Sequence, residues 1–194
     1  MAARELKQIE RQLILYDIFQ QNDEDTRLST IMFHLPGMNV RTLQRDIKDL
    51  KDAGLLQVYF SRDKNAYINY DEYRDISCYS EGIQKRITKK RKIAGENEDV
   101  SPKKREHLER LKRLTKLMSC EVYEKAVELY FELFPDATER MRKRDFEVLR
   151  HIGFYAGFDS EQNAYVIYRD EAYGIDNDYG IFKSKKTGKM MYRV

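Results

Sequence analysis

The chain has 194 residues, of which 41% are hydrophobic and 36% charged, with a formal net charge of +3. That length suits two compact units of under about a hundred residues or one mid-sized domain. No apolar run approaches the roughly 18 residues that cross a membrane, the N-terminal MAARELKQIERQ lacks a signal peptide's apolar segment, and Cys78 and Cys120 form neither a disulfide framework nor a metal-ligand spacing. A soluble, cytoplasmic protein with no membrane partner is therefore expected. The charge is concentrated, since residues 85–113 carry twelve Lys or Arg against five acids and leave the rest of the chain net acidic. A basic middle suits a polyanionic partner or serves as a solubilising linker.

In chain order, residues 4–21 are expected to form an amphipathic helix, with Leu6, Ile9, Leu13 and Tyr16 on one face. The polar NDED at 22–25 stops it, and Asp25 is placed to cap a second helix with Leu28, Ile31 and Met32 inward. Pro36 and Gly37 break that helix, and Asn39 is a good N-cap for a third, running to about Lys51 with Leu43, Ile47 and Leu50 inward and Gly54 as its stop. LLQVYF and AYINY then read as two strands around the turn at 61–65. Three short helices and a hairpin make the winged helix-turn-helix plan.

Sliding the chain by 99 residues superposes Pro36 on Pro135, Arg41 on Arg140, Arg45 on Arg144, Asp46 on Asp145, Leu50 on Leu149 and Gly54 on Gly153. One deletion in the hairpin then aligns Asn65, Ala66, Tyr67 and Tyr70 with Asn163, Ala164, Tyr165 and Tyr168. Ten identities in order with one gap are a repeat. EHLERLKRLTKLM and EVYEKAVELYFELF supply the two preceding helices of the second copy. The expected fold is mainly α with short β wings: winged helix 1 over 1–73, a basic and partly helical linker over 74–104, winged helix 2 over 105–170, and a tail over 171–194 ending in a β-hairpin around Lys-Thr-Gly.

The stretch NVRTLQRDIKDLKDAGLL, residues 39–56, resembles the recognition helix of DeoR/YafY-type winged-helix bacterial regulators, including those that carry a WYL domain. Asn39, Arg41, Thr42, Leu43, Arg45, Asp46, Ile47, Leu50, Ala53, Gly54 and Leu55 all fall on that family's pattern. The second copy matches less fully, through Thr138, Arg140, Arg144, Asp145, Phe146, Leu149 and Gly153. The resemblance implies sequence-specific binding of double-stranded DNA and transcriptional control. A homodimer on a palindromic or repeated site is expected, and the family's WYL sensing domain is missing from the expected organisation, since only about 25 residues follow the second copy.

A helix in the major groove reads bases with its outward N-terminal residues while flanking cations hold phosphates. In the first copy that face is Asn39, Val40, Arg41, Thr42, Gln44, Arg45 and Lys48, with Arg62 and Lys64 on the wing. Arg41 and Gln44 are suited to guanine and adenine edges, Thr42 and Arg45 to phosphate. The plainer alternative pairs Arg41 or Arg45 with Asp46 or Asp49. In the second copy the face is Arg140, Arg142, Lys143 and Arg144, but Arg142 stands where the pattern wants an aliphatic, which suggests a rotated or shortened helix. Its wing turn, DSEQN, is acidic. That unit contacts DNA or, alternatively, a protein partner. Asp46 and Asp145 are expected in structural ion pairs, Tyr67 and Tyr165 in the core, and His34, His107 and His151 in packing or at the surface. No catalytic, cofactor or metal constellation is legible.

Overall fold

A computed structural model of the chain describes residues 3–21, 25–69, 101–119, 122–123, 125–160, 163–169, 181–183 and 190–193. Six helices are described: α1 Gln8–Gln20, α2 Leu28–His34, α3 Val40–Asp52, α4 Pro102–Met118, α5 Ala126–Leu133 and α6 Glu139–His151. The strands are β1 Ala3–Glu5, β2 Asp25–Arg27, β3 Val58–Ser61, β4 Ala66–Asn69, β5 Val122–Tyr123, β6 Phe154–Asp159, β7 Ala164–Arg169, β8 Ile181–Lys183 and β9 Met190–Arg193. The protein is mainly helical with three small antiparallel sheets, ordered β1-β9-β8, β2-β4-β3 and β5-β7-β6.

Both copies of the repeat therefore run helix, strand, helix, helix, strand, strand, and each sheet places its first strand beside its last. The likeness reaches single backbone angles. Gly54 and Gly153 end α3 and α6 with φ of 74° and 92°, a conformation that a Cβ penalises. Asn65 and Asn163 turn their hairpins with φ of 48° and 49°.

Several boundaries differ from the sequence reading. The first helix starts at Gln8 rather than at residue 4, because residues 3–5 pair with β9 (Ala3 with Arg193, Glu5 with Met191). A helical start is then marked by the Lys7 N–H donating to Glu10 Oε2 at 2.7 Å. Asp25 is not the N-cap of α2: it lies in β2, paired with Ile68 of β4, and α2 begins after Arg27 without a side-chain cap. Strands β2 and β5 were not legible: they are two or three residues long and exist only because β4 and β7 offer free edges. α4 starts at Pro102, capped by Ser101 Oγ, so the last residues of the expected linker are helical. α6 is as long as α3 and capped by Thr138, so the second copy is not shortened at its start. The tail hairpin forms, Ile181 opposite Tyr192, with its turn outside the described residues. The rest of the linker and both cysteines also lie outside them.

One hydrophobic cluster runs through both copies, from Leu6, Leu13 and Ile18 of α1 through Leu43 and Leu50 of α3 to Leu111 and Leu114 of α4 and Leu149 of α6. Each contributing side chain buries roughly 1.5–3 kcal/mol of apolar surface free energy.

Candidate nucleic-acid interface

α3 is held by its acids, not by its bases. Asp46, 1% exposed, accepts from two Arg11 nitrogens (Nε at 2.5 Å, Nη2 at 3.1 Å) and from the Gln12 amide at 3.2 Å. Asp49 accepts from Gln8 at 3.1 Å, from Gln12 at 2.9 Å and from Lys104 Nζ. Burial pushes the Asp46 carboxyl above its ordinary range, against the pull of the Arg11 guanidinium. With both carboxylates turned into α1 and α4, the expected alternative of an Arg41 or Arg45 pair with Asp46 or Asp49 does not occur.

The opposite face of α3 is correspondingly cationic. Asn39, Val40, Arg41, Gln44, Arg45 and Lys48 are exposed, and Thr42 is half-buried. Lys48 pairs with Asp52 at 2.7 Å one turn on; among the described residues no carboxylate lies within ion-pair distance of Arg41 or Arg45. Asn39 already has a task, since its Oδ1 accepts the Arg41 N–H at 2.8 Å as the helix cap. Arg62 and Lys64 are exposed on the hairpin. Val40, Gln44 and Lys48 share the wall of a groove with Phe60 and Tyr67, so helix and hairpin make one continuous surface.

α6 repeats the anchoring. Asp145, fully buried, accepts from Arg110 Nε at 2.8 Å, Arg113 Nε at 2.7 Å and the Tyr130 hydroxyl at 2.8 Å. Burial and the adjacent carboxylate push the Tyr130 phenol far above its usual value, so it stays a donor. Both expected ion pairs are thus present, with α1 and α4 as partners. The signal that would have found them was available: Arg11 and Arg110 also stand 99 residues apart.

The outward faces then diverge. Arg140, Lys143 and Arg144 are exposed. Arg142, expected among them, is 7% exposed and faces inward. Its guanidinium bonds Glu139 Oε2 at 3.0 and 2.9 Å and stacks 4.9 Å from the Phe146 ring and 5.5 Å from the Tyr165 ring. It fills the seat of Leu43 by laying its apolar stem and flat head between rings. Tyr67 is buried as expected, edge-on to Phe19 at 5.8 Å. Tyr165 is not: it is 42% exposed, beside Phe158 at 50%, because it covers Arg142 rather than a core ring. Part of the acidic wing turn lies outside the described residues.

Two of the histidines expected in packing or at the surface pack between the copies. His107 Nε2 meets Gln12 Oε1 at 2.8 Å, and His151 Nδ1 meets Glu10 Oε1 at 3.0 Å. The Gln12 amide nitrogen is committed to Asp46 and Asp49, so its oxygen accepts and His107 is the donor. Among the described residues no cluster of His, Cys, Asp and Glu is placed to hold a metal ion, and no helix is long and apolar enough to cross a membrane. Comparison with protein-family models, curated proteins and solved structures finds no match.

Proposed function

We propose that this protein binds double-stranded DNA sequence-specifically and regulates transcription in a bacterial nucleoid, through two winged helix-turn-helix units, residues 1–73 and about 102–170, joined by a basic linker. One observation carries the reading: every acid of α3 except Asp52 is turned inward, while Arg41, Gln44 and Arg45 stand exposed on a capped, anchored helix beside a basic hairpin. Direct readout needs that combination of a fixed helix and unpaired bidentate donors. Arg41 and Gln44 take base edges, Val40 takes a thymine methyl, and Thr42, Arg45, Lys48, Arg62 and Lys64 take phosphates. Selection of bound fragments from a random duplex pool tests it and yields a defined motif. Against that motif, Arg41→Ala and Gln44→Ala each cost about 1–3 kcal/mol and relax preference at one position, whereas Lys64→Ala weakens all sequences alike. No enriched motif, or full affinity in both alanine variants, refutes it.

A second reading for the second unit alone is a protein-docking wing, favoured by the exposed Phe158 and Tyr165 pair. The homodimer expected from the sequence is tested by the stoichiometry described next.

A further inference from the structure

The contacts between the two copies are reciprocal. The C-terminal end of α3 meets the start of α4, where Lys104 pairs with Asp49 and lies 3.8 Å from Asp52, and His107 lies 3.9 Å from Asp49. The C-terminal end of α6 meets the start of α1, through His151 and Glu10. Exchanging the copies preserves this pattern: third helix of one on first helix of the other. That is the signature of a two-fold, self-complementary interface, written here within a single chain. The acids lie on opposite sides of the two contacts. On α3, Asp49 and Asp52 face Lys104 of α4, whereas on α1 Glu10 faces His151 of α6, so the arrangement is specific to this pair of unlike copies. The shared hydrophobic cluster fills the space between them.

We propose that one chain is a pseudo-dimer that occupies two unlike half-sites of a single duplex, α3 reading bases and α6 gripping the phosphate backbone. This rests on the duplex-reading function above. The division of labour follows from the exposed side chains. At the positions of Val40, Thr42 and Gln44, α6 carries Glu139, Met141 and Lys143, and so lacks the amide that reads adenine. It keeps three exposed cations, Arg140, Lys143 and Arg144. Its one first-turn acid, Glu139, is neutralised by Arg142. A face of that kind attracts phosphate without choosing sequence. The faces of α1, α3, α4 and α6 that meet are already covered within the one chain, so a second chain is not needed to complete the symmetry.

The test uses the full chain and the duplex recovered by selection. Sedimentation equilibrium is expected to give one chain per duplex, with protection over two adjacent major-groove faces about 10 base pairs apart. The triple variant Arg140→Gln, Lys143→Gln, Arg144→Gln is expected to lose about tenfold or more in affinity for every sequence. Its log K against log salt slope falls by about 0.9 for each phosphate contact removed, with the selected motif unchanged. Trimming the duplex to the half-site under α3 reproduces that loss in the wild type and adds nothing in the variant. Two chains per duplex, two duplexes per chain, or a triple variant that binds like the wild type overturns the pseudo-dimer and leaves specific binding intact. Failure to select any sequence removes the reading of function, and the pseudo-dimer with it.

Discussion

At the scale of single residues, neighbours on one helix have opposite duties. Asp46 and Arg45 are adjacent, yet the carboxylate is sealed under Arg11 and Gln12 while the guanidinium stands in solvent. Burying an ion is tolerable only when its partners fill its lone pairs, and removing one member leaves the others desolvated and unpaired. Asp46→Ala and Asp145→Ala are each expected to cost roughly 3–5 kcal/mol of stability, read from urea unfolding. Arg41→Ala, on the exposed face, is expected to stay within about 0.5 kcal/mol of wild type in the same experiment. Arg142 shows the rule from the other side: an arginine occupies an aliphatic seat here because an acid meets its charge and rings meet its faces.

At the scale of elements, the start of α3 joins stability to the proposed recognition. Asn39 is exposed beside the residues proposed to read bases, but its oxygen already accepts the Arg41 N–H. Asn39→Ala is expected to lose about 1 kcal/mol of stability through the missing cap. Asn39→Asp keeps the cap and complements the helix dipole, so its thermal midpoint holds, while the added charge repels backbone phosphate and lowers duplex affinity. Melting curves and binding titrations on the two variants separate capping from contact. Equal affinity in Asn39→Asp and wild type would place phosphate away from this end of the helix.

At the scale of the whole molecule, the copies are tied by a polar chain: His107 donates to Gln12, and Gln12 donates to Asp46 and Asp49. Burial lowers the His107 pKa below its ordinary 6.5, with Lys104 and Arg110 adding to the effect and Asp49 and Asp46 opposing it. The folded protein thus binds this proton less readily than the unfolded chain. Stability from the neutral ring is complete above 6.5 and declines as pH falls from there toward the folded value. Denaturant midpoints at about pH 7.5 and about pH 5.5 check this. Wild type is expected to lose more on acidification than His107→Gln, which keeps a donor for Gln12 but cannot titrate. Equal losses would show that the ring titrates alike folded and unfolded.

The sequence by itself determined what is local or repeated. Apolar spacing, the Asn39 cap, the two stop glycines and the 99-residue offset specify three helices and a hairpin twice over, because those signals act within a few residues of chain or repeat it. The outward face of α3 was legible for the same reason: once Leu43, Ile47 and Leu50 point in, Arg41, Gln44 and Arg45 must point out. What only the tertiary structure decided are matters of partnership. Strands β2 and β5 exist because an edge was free, the chain ends meet because β1 pairs with β9, and Arg142 turned inward because two rings and Glu139 awaited it. The joining of the copies through Lys104, His107 and His151 belongs here too. Each of those contacts spans at least 55 residues of chain, and local periodicity carries no information across such a distance.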